Sequence, residues 1–439
     1  MSKSFIFEIK IRMNDPNLNY SSVWNPAEKF LFRFAFLFFC LFIILENNGA
    51  YPLFYFVSSL IEEPLHYFIP GVGKHILHLP YEITVFTNGS GDTTYDYVIV
   101  FTIFLFSTVA AIVWSFADRG RTNYNILYYW LSTFIRYYVG CMLINYGLVK
   151  VFKCQFPAPD LYRLNETYGE SSPMGLAWAF LGFSKGYNLF MGIAEMAGIL
   201  LLFRRTMTAG LLIALMTTTN VMAVNYCYDV PVKILSTMLV VMTLFLLLRD
   251  AKRLFIFFFT GRAINLPVIP APELKVKLLR VLKYVFKGAI LVHVIIIAGI
   301  EVMEMEKLYG DNAPKSRLYG VYAVKSMVHT DADSLNNEKD WKQVIVEGEY
   351  NLCVKFSDNS SQRYNMESVD SGKSVTLTGR KGNKDSGFLE YATPKSNVLS
   401  FKGNINKDSV SILLIKDSIP EYELTKRGFH WINEYPNNK

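Results

Sequence analysis

Apolar runs at 27–45, 97–117, 126–152, 186–203, 207–225, 231–248 and 280–300 dominate the first three hundred positions. Each approaches the roughly 20 residues that a helix needs to cross hydrocarbon, so the pattern predicts about seven membrane spans. The run at 97–117 carries no charge. A further apolar stretch, 51–70, is broken by Pro52, Glu62, Glu63 and Pro64 and reads as an interfacial or re-entrant helix. Beyond Glu301 the pattern changes to short alternating runs at 343–347, 350–356, 374–378, 397–401 and 409–416, separated by Gly, Asn, Asp and Ser. Alternation of that length predicts antiparallel strands. The expected fold class is an α-helical polytopic membrane bundle followed by a C-terminal small all-β domain, a sandwich or a barrel.

Composition supports the membrane reading. Of 439 residues, 51% are apolar and 18% charged, against about 25% charged in an average soluble chain. The formal net charge is +7, which in a greasy chain points to anionic lipid on a cytoplasmic face and not to nucleic acid. Orientation follows from the distribution of Lys and Arg. With seven spans and an inner N-terminus, the inner segments hold 13 of these residues and the outer segments 4, as positive-inside enrichment requires. The N-terminus is then cytoplasmic and the β domain extracytoplasmic. No apolar signal segment occurs in residues 1–20, so the first span is expected to act as an uncleaved anchor. Sequons at Asn88, Asn165 and Asn359 all fall on the outer side.

Three parts are expected: a six-span bundle at 1–260, a connector and seventh span at 261–305, and the β domain at 306–439. The connector, Leu266-Pro267-Val268-Ile269-Pro270-Ala271-Pro272, is stiff and extended. Lys275, Lys277, Arg280, Lys283 and Lys287 form a basic stripe leading into the seventh span, suited to anionic headgroups or to simple orientation of the helix. Residues 250–260 suit a helix lying in the inner interface. Residues 173–183 are short and apolar, suited to a re-entrant helix. The aromatic segment 428–435 reads as a last core strand or helix, or as a docking segment.

Charges at membrane depth are costly and therefore usually paired. In the third span Arg136, Gly140, Leu143, Gly147 and Lys150 recur at intervals of four and three and share one helix face. Glycines on that face allow close helix approach. Arg136 lies roughly 15 Å from the inner end of its run and Glu195 roughly 12 Å from the inner end of the next. An intramembrane Arg136–Glu195 ion pair is therefore expected.

A second polar group, Lys150, Asn220, Asn225, Tyr228, Asp229 and Lys233, gathers near the outer surface. It reads either as a pocket for a carbonyl, anion or quinone head or as a hydrogen-bonded helix end with snorkelling lysines. Cysteine is sparse, without CxxC or Cys/His metal spacing. Cys154 and Cys227 are the pair that an oxidising compartment could join. His75 and His78 share a helical face without a third ligand, so no metal is expected.

The run Arg136-x-x-x-Gly140, Gly147-x-x-Lys150, Glu195-x-x-Gly198-x-x-Leu201-Leu202 and Arg204-Arg205-Thr206 resembles the DoxX-like bacterial membrane proteins over about residues 125–250. The resemblance implies a four-helix unit in a bacterial cytoplasmic membrane. It also implies redox association, since members include a subunit linked to thiosulfate:quinone oxidoreduction. The chain shows no haem, flavin or iron–sulfur motif, so a quinone is the cofactor this reading would call for. The alternative is a non-enzymatic envelope scaffold or complex subunit whose β domain binds a partner protein or glycan. Transport is weaker, because there is no internal repeat with paired broken helices.

Overall fold

The computed structural model describes residues 23–51, 54–87, 91–329, 340–348, 350–369, 373–380, 384–406, 408–418 and 421–438. The sequon at Asn88 lies outside them. Two units pack separately: Met1–Gly147 with Ala194–Ala298, and Leu148–Ile193 with Gly299–Lys439. This division is discontinuous, unlike the contiguous parts expected from composition, because the segment after the third apolar run packs with the β domain.

The first unit is helical. Helices α1 (Pro26–Leu45), α2 (Phe54–His75), α3 (Thr94–Ala117) and α4 (Asn125–Val151) precede a break, and the unit resumes with the last three residues of α7 (Lys185–Met196), whose first nine belong to the second unit, and a 3-10 turn, Ala197–Leu202. Then come α8 (Met207–Cys227), α9 (Lys233–Leu248), α10 (Ala251–Thr260) and α11 (Lys277–Val292). Asn25 opens α1 with a capping box to Glu28, and Thr93 opens α3 with one to Asp96, as these residue pairs favour. The α9 N-terminus is capped from a distance: Asp92 accepts hydrogen bonds from the Lys233 and Ile234 amides at 2.7 and 2.9 Å. Buried Asp250 binds Arg249, Arg253 and Thr208 where the chain bends by 78° between α9 and α10.

Three helices among the described residues are long and apolar enough to cross a membrane: α3, α8 and the continuous stretch Lys277–Leu308. The bent pair α9 and α10 adds a fourth when the two helices are counted as one broken span. That is fewer than the seven expected, for reasons legible in the helices. Glu28, Lys29 and Arg33 load the first two turns of α1, α4 is interrupted by Arg136, Asn145 and five tyrosines, and the helix after it breaks into a 3-10 turn. Arg33 is nonetheless buried, donating to the Tyr124 hydroxyl, the Ser115 hydroxyl and the Asp118 carbonyl at 2.9, 2.7 and 3.0 Å.

The second unit holds α5 (Leu161–Asn165), α6 (Pro173–Phe183), α12 (Ala298–Tyr309) and the C-terminal strands, with a single turn, α13 (Glu423–Lys426), after them. The β domain is a closed eight-stranded barrel, more than the small all-β domain expected. Its strands are β1 (Lys315–His329), β2 (Trp341–Gly348), β3 (Asn351–Phe356), β4 (Ser361–Val369), β5 (Ser374–Gly379), β6 (Ser386–Lys395), β7 (Val398–Ile405) and β8 (Asp408–Lys416). Each pairs antiparallel with the next, and β8 closes onto β1 with Ala323 opposite Ile415. Alternate residues fill the interior: Val344 and Val346, Leu352 and Val354, Tyr364 and Met366, Val375 and Leu377, Leu399 and Phe401. An eight-stranded barrel is just wide enough for side chains to fill. Closure leaves no edge for another strand, so the aromatic segment 428–435 joins no core: Phe429, Trp431 and Tyr435 are exposed.

Candidate functional site

The site begins with a short helix on the outside of the barrel. Asp160 caps α5 by accepting from the Arg163 amide at 2.8 Å. Leu161 then buries against Val321, Ile345 and Cys353, an apolar patch on the outer faces of β1, β2 and β3. The Tyr162 amide donates to Glu347 Oε1 at 2.7 Å, its hydroxyl meets Ser361 Oγ at 2.9 Å, and the Arg363 guanidinium stacks 4.2 Å from its ring centroid. The Asn165 amide donates to the Leu161 carbonyl and the Tyr422 hydroxyl, both at 2.7 Å. Upstream, Asp311 receives Lys153 Nζ and the Ala158 amide at 2.7 Å each. The segment from Lys153 to Glu170 is thus clamped to the barrel unit along its length.

Between clamp and barrel opens a cleft of about 190 Å³ lined by Tyr162, Asn165, Glu166, Gln343, Lys355 and Ser361, among others. Glu170 reaches Lys355 at 3.4 Å on one wall, and Arg163 holds Glu166 at 2.6 Å. The volume lies below the roughly 300 Å³ at which drug-sized ligand sites begin. It suits one sugar ring or one protruding side chain, and its amide, hydroxyl and carboxylate lining suits a ligand rich in hydroxyls.

Beneath the clamp, Glu347 and Asp160 are two carboxyls sharing a hydrogen bond. Burial and the neighbouring Asp160 charge push Glu347 up to about 7 from an ordinary value of 4.5. The folded state therefore keeps a proton that the unfolded chain releases at lower pH. The barrel unit should lose stability as pH rises from about 4.5 to about 7, because the unfolded state binds fewer protons in that window. Thermal melts of the full-length protein across that range should show the decline in wild type, by a few degrees. Glu347→Gln should flatten it; an unchanged slope in this variant would contradict the assignment.

The residues singled out from the sequence fall in several places. Asn225, Asp229 and Lys233 meet at the turn joining α8 to α9. There the Asn225 amide donates to the Val232 carbonyl at 3.1 Å, and Lys233 Nζ reaches Asp229 at 2.9 Å. Tyr228 is exposed at the same turn, and Asn220 is exposed on α8. Lys150 is buried in the second unit, its ammonium 5.8 Å from the Phe156 ring centroid. Arg136 and Glu195 are both buried. Arg136 Nη1 donates to the Leu201 carbonyl at 3.2 Å, and Glu195 has Tyr146 as an electrostatic neighbour. The expected glycine contact is present: a Cβ on Gly140 would lie 3.1 Å from the Gly198 carbonyl oxygen.

All five cysteines are free, Cys154 and Cys227 included. Among the described residues no group of three His, Cys, Asp or Glu side chains is arranged for a metal. The sequence reading missed the cleft, although two of its sequon asparagines, Asn165 and Asn359, line it.

Fold and site together define a helical protein with membrane-length apolar helices and an appended β-barrel whose outer face carries a clamped cleft. The chain belongs to the family of the uncharacterized protein YwoB of Bacillus subtilis (strain 168), to which it is 36% identical over 121 residues, 27% of this chain and 75% of that protein. No family model matches the chain. No solved structure matches it either.

Proposed function

We infer that this protein is a non-enzymatic scaffold of a bacterial envelope, anchored by its helices and presenting the barrel outside the cytoplasmic membrane to bind a glycan. The observation that carries the reading is the cleft between the clamp and the outer barrel wall. The barrel interior is packed with apolar side chains, so recognition falls to the outside. Lys and Arg distribution supports an inner N-terminus and an outer barrel.

In this reading α1, α4 and the broken α7 also cross, giving the DoxX-like seven-span arrangement. The Arg33 charge is compatible with that because two hydroxyls and a carbonyl bind it within the protein, and Arg136 donates to the Leu201 carbonyl. Polar groups bonded in this way are tolerated at membrane depth. Close approach of Gly140 and Gly198 supports the four-helix unit. The quinone reading draws on the outer polar group. Because Asn225, Asp229 and Lys233 bond locally, fewer donors are left for a quinone carbonyl, which favours the scaffold. Titration of the full-length protein with soluble envelope oligosaccharides tests the proposal, with Gln343→Ala as the variant that alters the cleft lining.

A further inference from the structure

The basic stripe of the last membrane helix does not all face outward. On α11, Lys283 and Lys287 are half-buried and continue at helical spacing into buried Ile290 and Val294. Tyr284, Val285 and Phe286 lie on the exposed side. The two lysines thus point into the helical unit, where a third and a fourth cation meet them. Lys287 has Arg136, Arg204 and Lys283 as charged neighbours, and Arg136 and Arg204 neighbour each other.

None of the four is neutralised by a carboxylate among the described residues. Lys283 Nζ lies 5.9 Å from the Tyr129 ring centroid and Lys287 Nζ 4.6 Å from that of Phe203. The Arg136 guanidinium lies 5.1 Å from the Tyr137 ring centroid and donates to the Leu201 carbonyl. Arg204 donates to the Ile269 carbonyl at 3.0 Å, tying the Pro-rich connector to the same place. Arg136 is only 4% exposed.

Four like charges converging among aromatic rings, one of them a buried guanidinium, repel one another strongly in a medium of low dielectric. An anion between them removes that cost. Guanidinium forks match phosphate oxygens bidentately, and basic pockets between membrane helices hold phospholipid headgroups. The exposed ring of Phe203 offers apolar surface for the adjoining glycerol and acyl carbons.

We propose that Arg136, Arg204, Lys283 and Lys287 form a binding site for the phosphate of an anionic phospholipid, held between α4, the 203–206 turn and α11. The site is independent of the barrel cleft, and it gives the connector a purpose: residues 266–272 fix α11 beside the turn that carries Arg204.

The test uses the full-length protein, delipidated in detergent, with native mass spectrometry and thermal melts as readouts. Phosphatidylglycerol should bind the wild type and raise its melting temperature, whereas phosphatidylcholine should do neither. Lys283→Gln with Lys287→Gln, a change that leaves Arg136 in place, should weaken phosphatidylglycerol binding about tenfold or more. The control pair Arg262→Gln with Lys277→Gln, exposed residues with the same loss of charge, should leave it unchanged. Equal binding of both lipids, or equal loss in both double variants, would overturn the site. Protection by inorganic phosphate matching that by phosphatidylglycerol would overturn the lipid assignment.

Discussion

Gly403→Ala should prevent the barrel from closing. Gly403 sits in β7 at φ +153°, where a side chain is strained, and a Cβ there would stand 2.1 Å from the Phe388 carbonyl oxygen of β6. That oxygen belongs to a backbone held on both sides by sheet pairing, Phe388 opposite Asn404 and opposite Thr376. Neither strand can retreat without loosening its neighbour, since every strand of a closed barrel is paired twice. A loss of about 3–5 kcal/mol is expected, enough to consume much of a domain's net stability. Gly387→Ala is the comparison: its Cβ would lie 3.3 Å from the Asn404 oxygen at an ordinary φ, and roughly 1 kcal/mol should be lost. Limited proteolysis of the full-length protein reads both, with the Gly403 variant losing the protected barrel fragment and the Gly387 variant keeping it.

The second large effect belongs to the helical unit. Gly198→Val should separate α4 from the 3-10 turn Ala197–Leu202, because even the first carbon of the new side chain would come within 2.7 Å of Leu143 Cβ. Opposite, Gly140 has no slack, with a would-be Cβ 3.0 Å from Leu202 Cδ2. Separation would also pull the Leu201 carbonyl from Arg136, leaving a buried guanidinium without its partner, so roughly 3 kcal/mol or more should be lost. Gly288→Ala, on α11 with open space around it, should cost nothing and gain a little helix propensity. Thermal melts in detergent separate the two outcomes; equal melting temperatures would contradict the close packing assigned to Gly198.

The helices were legible because apolar period and capping residues act locally. Residues 207–225 and 231–248 coincide closely with α8 and α9. Crossing was less legible, because length and hydropathy alone admit only three or four spans, while helices such as α1 and α4 carry charges whose partners lie far away in sequence. Arg33 depends on Ser115, Asp118 and Tyr124, and no window around it reveals them.

The β domain was half legible. Strands β2, β3, β5, β7 and β8 announce themselves by apolar alternation, whereas β4 offers inward Tyr364 and Met366 among polar outward residues, and β6 has Leu389 as its fully buried interior residue. Without β1, β4 and β6 the alternation left a sandwich and a barrel both open. The cleft was hidden for a related reason. Its two walls, 158–170 and 343–361, lie far apart in sequence, and what joins them are contacts no local window shows: the Tyr162 amide on Glu347, its hydroxyl on Ser361, Glu170 on Lys355 and Leu161 against Ile345 and Cys353.

The central claim is that this cleft recognises an envelope glycan, and calorimetric titration of the full-length protein in lipid nanodiscs with soluble oligosaccharides tests it most directly. Wild type should show saturable binding. Gln343→Ala, which leaves the clamp bonds of Tyr162 and Asp160 intact, should weaken binding roughly tenfold, and Asp229→Asn in the helical unit should not change it. An absence of oligosaccharide binding by the wild type, or equal affinity in the Gln343 variant, would contradict the account.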